Sequence, residues 1–306
     1  MARWAQTESL LAALEEGQAA EADGFPSLYR ALCQDLALAR ERGFSALLVE
    51  RLNGLALRGH EQLYGAERQR IRPLVAATLA SVPVSVRAHR WMLLFVTLVF
   101  LCTTGASAWH SYHDRSFVDS ILDQASVAQY ESMYGPERER GRNADDGTLM
   151  FGFYIYNNIS IDFRAFGMGI LLGVGSLFFV AFNGVHFGTI AGHLFERGYG
   201  EALGSFVVGH GAFEIPALLI SGAAGTALGL SWIAPGGRSR LSALRQTAES
   251  TLPMVGAAAV MGVIAAGLEA FWSPLDLPVN VKYAAGAVLW ALVIGGFILL
   301  GRARAD

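Results

Sequence analysis

A chain of 306 residues that is 53% hydrophobic and only 16% charged is poor in charge, since soluble domains carry about a quarter. A net charge of −3 and the lack of an RNA- or DNA-binding motif give no case for a nucleic-acid partner, and two cysteines, Cys33 and Cys102, argue against a disulfide framework. Charge is dense in residues 1–90 and afterwards falls in short clusters between apolar runs, the pattern of a membrane protein with an extramembrane domain.

Residues 1–88 read as a cytoplasmic helical bundle. Trp4–Glu16 sets Trp4, Leu10, Leu11 and Leu14 near one face, and Gly24-Phe25-Pro26-Ser27 then breaks the chain. Leu28–Arg42 follows, with Leu28, Leu32, Leu36 and Ala39 at helical spacing. Gly43 ends that helix, Ser45 caps the next over Ala46–Tyr64, and Glu67–Val86 is expected to lie along a membrane surface. The N-terminus has no apolar signal-peptide core, so the first membrane helix is expected to direct insertion.

Residues 89–306 form the transmembrane domain. Trp91–Trp109 is the first span, and Arg87 and Arg90 before it put the N-terminal domain inside by the positive-inside rule. Residues 110–160 become an extracytoplasmic loop-helix region, with an amphipathic helix over Ser116–Met133. Phe163–Phe182 is expected as the second span, with Asp162 and Arg164 at its mouth, followed by Ser205–Ile233, Pro253–Trp272 and Tyr283–Leu300. Arg238, Arg240 and Arg245, and then Arg302 and Arg304, place the loop before the fourth span and the C-terminus inside. Two cytoplasmic termini require an even number of crossings, whereas these spans number five. Either 184–195 is a short sixth crossing or 205–233 is partly re-entrant. The expected fold class is therefore an all-α, polytopic α-helical membrane protein of about six membrane segments, one broken or re-entrant, in the inner (cytoplasmic) membrane.

Gly209-His210-Gly211-Ala212-Phe213-Glu214-Ile215-Pro216 carries the chemistry of that irregular stretch. His210 and Glu214 stand at i and i+4 and share a helix face, while Pro216 removes an amide donor. An acid in an apolar run is costly, and marks either a proton or solute site or a polar staple between helices. His186 and His193, seven residues apart, add imidazoles upstream, and Asn157, Asn158 and Asn183 bracket the second span. The spacing matches no known ligand signature, so no metal or other cofactor is expected. His-Glu-x-x-His, Walker A, Rossmann and Gly-x-Ser-x-Gly motifs do not occur, which gives no support to zinc-protease, nucleotide or serine-hydrolase chemistry. Glu269 and Asp276 read as interfacial. Glycines dense from Gly167 to Gly229, including Gly188/Gly192 and Gly225/Gly229, let helices approach closely, either within one chain or in a homodimer.

Several of these runs carry a family likeness: Leu28-Tyr29-Arg30-Ala31-Leu32-Cys33-Gln34-Asp35-Leu36-Ala37, Leu52-Asn53-Gly54-Leu55 and Gly59-His60-Glu61-Gln62-Leu63-Tyr64. Met150-Phe151-Gly152-Phe153-Tyr154-Ile155-Tyr156-Asn157-Asn158, Phe182-Asn183-Gly184 and His210-Gly211-Ala212-Phe213-Glu214 continue it. Together they resemble the stage II sporulation protein M family of integral membrane proteins over nearly the full length. The resemblance implies an all-helical, non-enzymatic membrane protein, a scaffold or assembly subunit of a membrane complex, as in the cell-wall remodelling complex of the family's namesake. It also implies a cytosolic protein partner at residues 1–88. A channel or transporter using the intramembrane His/Glu site is the alternative.

Overall fold

The computed structural model describes residues 2–15, 24–65, 81–135 and 144–299, and all regular structure among them is helical. The chain divides into two compact units, Met1–Thr78 and Leu79–Asp306. Residues 66–80 of the surface helix expected over Glu67–Val86, and Arg302 and Arg304, lie outside the described residues.

The first unit is built from α1 (Ala2–Glu15), α2 (Phe25–Glu41) and α3 (Ala46–His60), which a π turn over Glu61–Gly65 extends. Pro26 falls in the first turn of α2, where no amide donor is needed, and the helix stops at Gly43 with its left-handed φ of 65°. The apolar faces expected at helical spacing meet in a core of Leu11, Phe25, Leu32, Leu36, Leu52 and Leu55. Trp4 closes one edge, its indole N–H donating to Asp35 Oδ2 at 2.8 Å.

In the second unit a helical stretch over 81–88 leads into α4 (Arg90–His113). Two short helices follow, α5 (Arg115–Ile121) and α6 (Gln124–Tyr134), then α7 (Ala144–Gly167), α8 (Val174–Glu196) and α9 (Gly200–Ile233). The last two are α10 (Arg240–Gly267), prolonged by a π turn over Leu268–Trp272, and α11 (Val279–Leu299). Among the described residues, five helices are long and apolar enough to cross a membrane: α4, α8, α9, α10 with its π turn, and α11. α7 is as long as α4, about 36 Å at 1.5 Å per residue, but carries Asp145, Asp146, Asp162 and Arg164.

Close contacts fix the sense of each helix. Gly184, Gly188 and Gly192 of α8 lie in turn against Thr103, Thr104 and Ala108, so α4 and α8 run parallel. Gly204 meets Tyr283 and Gly286 meets Val208, so α9 and α11 also run parallel. Gly147 of α7 sits on Phe271 and Gly262 of α10 sits on Asp162, so those two are antiparallel. Helices α4, α8 and α10 therefore point one way and α7, α9 and α11 the other. The connections 196–200 and 273–278 lie at one end of the bundle, the upper end here, and 168–173 and 234–239 at the lower. α9 is central, packing on α4, α7, α8, α10 and α11. The core around it holds Val96, Phe100, Val180, Ile220, Met254 and a run of buried alanines. The glycine-rich faces of α8 and α9 make their close approaches inside the chain, Gly169 to Gly225 and Gly229 to Gly173 among them.

Three expectations need correction. Phe163–Phe182 is not one span: α7 ends at Gly167, a 3-10 turn covers Met168–Ile170, and the chain reverses through left-handed Leu172 (φ 56°) and Gly173 (φ 82°). The apolar end of one helix and the apolar start of the next had merged into a single hydropathic run. The stretch 184–195 is the second half of the full-length α8, and 205–233 is neither broken nor re-entrant but part of a continuous 34-residue helix. Pro216 takes one N–H from the Ala212 carbonyl, yet five packed neighbours hold the axis, a tolerance usual for proline in membrane helices. Finally, Ser116–Met133 is two helices, because Asp123 caps the second, its Oδ1 accepting the Ser126 N–H at 2.7 Å.

Candidate functional site

His210 and Glu214 project from the upper half of α9. The His210 side chain is 5% exposed, and its Nε2 lies 3.8 Å from Glu214 Oε2. Nδ1 lies 3.1 Å from Ser273 Oγ, just past the π turn of α10, which orients the ring so that Nε2 faces the carboxylate. Phe206, one turn back, meets the imidazole edge-on with centroids 5.4 Å apart. Gly209 is required beside it, because a Cβ there would lie 2.6 Å from the Trp272 ring. The π turn brings a third group: one ligand atom each of His210, Glu214 and Glu269 fall within 4.8 Å of one another.

Two neighbours complete the surroundings. Lys282, the chain's single lysine, is buried at the start of α11 and donates from Nζ to the Ser273 carbonyl at 2.7 Å, pinning the 273–278 connection. Tyr134 ends α6 and packs edge-on against Phe206 at 5.8 Å. Burial, then Glu269, and more weakly Tyr154, Tyr130 and Glu214, push the Tyr134 phenol above its usual value, so it stays a neutral O–H beside the acids. One imidazole nitrogen and two carboxylates form a donor set suited to a divalent cation or a proton.

The Glu214 side chain is 33% exposed although it stands on α9, which packs on five other helices. An ionised carboxylate among apolar helices is costly unless water, a cation or a hydrogen-bonding partner reaches it.

The other expected residues lie elsewhere. His193 Nε2 meets Glu131 Oε1 at 2.8 Å, and Arg197 and Arg115 reach the same oxygen at 3.3 and 3.9 Å, tying α5 and α6 onto α8. His186 Nε2 stands 3.5 Å from the Tyr130 hydroxyl on that same surface. Asn183 donates to the Phe179 carbonyl of its own helix. Asn157 donates to Asn158 Oδ1 at 3.2 Å, and Asn158 is buried against α10 near Gly262. Sequence reasoning takes Glu269 as interfacial and assigns neither it nor Ser273 or Lys282 to the site. An acid within a turn of the Trp at a span's end, and a lone lysine three residues into an apolar helix, were the signals available. Asp162, expected at the mouth of a span, is 5% exposed in the bundle.

The family model of stage II sporulation protein M matches residues 93–274, and a model described as a domain of unknown function, DUF8413, matches residues 1–65. No curated protein and no solved structure matches the chain.

Proposed function

We propose that the chain, which belongs to the stage II sporulation protein M family, is a non-enzymatic membrane protein that binds a small cation at His210, Glu214 and Glu269 and conducts or carries it. The observation that carries this reading is Glu214, whose side chain is one-third exposed on a helix that packs on five others, with an imidazole and a second carboxylate converging on it. Ionisable side chains within a membrane mark solute paths. In this reading α7 is a sixth crossing, which makes the crossings even and leaves both termini on one side. Arg87 and Arg90 before α4, and Arg238, Arg240 and Arg245 between α9 and α10, favour the cytoplasm for that side. The cluster then opens towards the outer face of the inner membrane, under α5 and α6.

The test is uptake of Mn²⁺ into dye-loaded proteoliposomes of the full chain. Wild type is expected to exceed empty vesicles, and Glu214→Gln to lose the uptake while keeping its elution profile. Uptake equal in both proteins would sink the reading.

A second reading, an assembly subunit, is favoured by the separate helical unit at the N-terminus with its own family model over residues 1–65. That unit would receive a cytosolic protein partner. Under it Glu214→Gln costs stability or assembly, and there is no flux to lose.

A further inference from the structure

One face of α7 carries Tyr154, Asn158 and Asp162 at i, i+4 and i+8, each at most 6% exposed. Tyr154 packs with Ala266 and Ala270, close to the π turn that holds Glu269. Asn158 and Asp162 border Gly262, where a Cβ would lie 3.2 Å from Asp162 Oδ2 and 3.7 Å from Asn158 Cβ. Gly225 of α9 abuts the carbonyls of Ala165 and Phe166, and α7 and α9 run in the same sense. One turn back along both helices, Ser221 comes level with Asp162, and two turns further back Glu214 comes level with Tyr154. Glu214 and Ser221 are seven residues apart and share a face of α9. The polar side chains thus form a line running about 10 Å down from Glu214 at 1.5 Å per residue.

Asp162 Oδ2, Asn158 Nδ2 and Ser221 Oγ are buried and meet no hydrogen-bond partner. Beyond Asp162 the line stops, since α10 presents buried Met254, Val255, Ala258 and Met261 towards the lower end.

We propose that Asp162, supported by Asn158, is a second and deeper acceptor on the path that opens at Glu214, and that it takes a proton. The proposal rests on the reading of that cluster as a cation path. Hydronium entering along the path gives its proton to the Asp162 carboxylate, leaving water and a neutral carboxylic acid. A metal ion needs four or more donors, and the space above Gly262 is bounded by Ile159 Cγ1 and Asn158 Cβ as well as by the acid. A proton needs only the carboxylate. The titratable groups facing α7 are Glu214 and His210 on α9 and Glu269 in the π turn. Arg164 is exposed away from Asp162, and Arg245 and Glu249 of α10 are exposed and paired with each other. The apolar block below makes this a half-path open to one end, the arrangement a proton-coupled carrier needs while its other gate is shut.

The experiment uses the full chain in proteoliposomes with a trapped pH dye and an imposed acid step, with infrared difference spectra of the same samples. Wild type is expected to admit protons faster than empty vesicles and to show a protonated-carboxyl band that shifts on exchange into D₂O. Asp162→Asn should remove that band and slow proton entry at least tenfold, and Asp162→Glu should restore part of both. If Glu214→Gln abolishes Mn²⁺ uptake but Asp162→Asn keeps proton entry and the band, this inference is wrong and the cluster reading stands. Wild-type vesicles no more permeable than empty ones to either ion overturn both.

Discussion

Gly188 offers a test of the bundle that carries the site. Along the seam of α4 and α8 its missing Cβ would lie 3.0 Å from the Thr104 Cα and carbonyl carbon, and closer still to the oxygen. These are backbone atoms and cannot swing aside. Relieving the oxygen contact, the shortest of the three, requires the helices to part by about 1 Å, enough to forfeit about half of the dispersion energy of each atom pair in the seam. Overpacking of this kind costs about 1–3 kcal/mol, and the unyielding backbone puts Gly188→Ala at about 2–3. Gly105, also helical but with nothing within 4 Å of its Cβ position, is the control. There alanine removes the entropic cost of a helical glycine and should stabilise by about 0.5–1 kcal/mol. The same substitution thus changes sign between two glycines. In detergent, the full chain should melt about 4–10 °C lower for Gly188→Ala and slightly higher for Gly105→Ala. If both variants melt together, the backbones do not approach closely at Thr104, and the parallel pairing of α4 and α8 would have to be abandoned.

Leu52 is 1% exposed in the core of the first unit, so Leu52→Ala should cost about 2–5 kcal/mol there. Hydrogen exchange on the full chain would show lost protection in α1–α3 with α8–α10 unchanged; unaltered exchange in α2 would contradict the core assignment. At the head of α6, the Asp123 carboxylate accepts the N–H and the hydroxyl of Ser126, bonds that hold it below the ordinary carboxylate value of 3.8. A depressed acid stabilises above its ordinary value and loses that contribution as pH falls through the lowered one. Protection in the first turn of α6 should therefore be flat above about pH 4 and decline below it. Asp123→Asn should keep the cap and remove the dependence.

Parity calls for an even number of crossings, because arginine clusters constrain which ends lie together, and five helices have the length and hydropathy of a span. The helix Ala144–Gly167 was not legible in the sequence. α7 was read as a loop with a polar mouth, since Asp145, Asp146, Asp162 and Arg164 dilute its hydropathy below that of its neighbours. His210 and Glu214 were legible as a pair because four residues make one turn on any helix. Their partners were not, since Glu269 comes from a π turn, which shifts the register of side chains by about one residue against an α-helical wheel. Pro216 and the glycines suggested a break that packing by five neighbours prevents. Gly209 makes room for Trp272, and much of the remaining glycine density serves close packing between helices.

The polar residues that lower the hydropathy of α7 also decide which way it faces. A helix with Tyr154, Asn158 and Asp162 on one face is unfavourable with that face to lipid, and tolerable beside a membrane only when the face is turned to other helices. The bundle does this: α7 lays the polar face on α9 and α10, opposite Glu214 and the small residue Gly262. Had these residues served only to staple the helices, their polar atoms would be expected to pair across the interfaces, as Lys282 pairs with the Ser273 carbonyl at the upper end. Instead Asn158 Nδ2, Asp162 Oδ2 and Ser221 Oγ point into the interface without partners, while the salt-bridged cluster around Glu131 holds the outer helices in place. Three of the unpaired buried atoms thus fall on the line below Glu214, while Thr104, Ser111 and Ser176 hold others along α4 and α8.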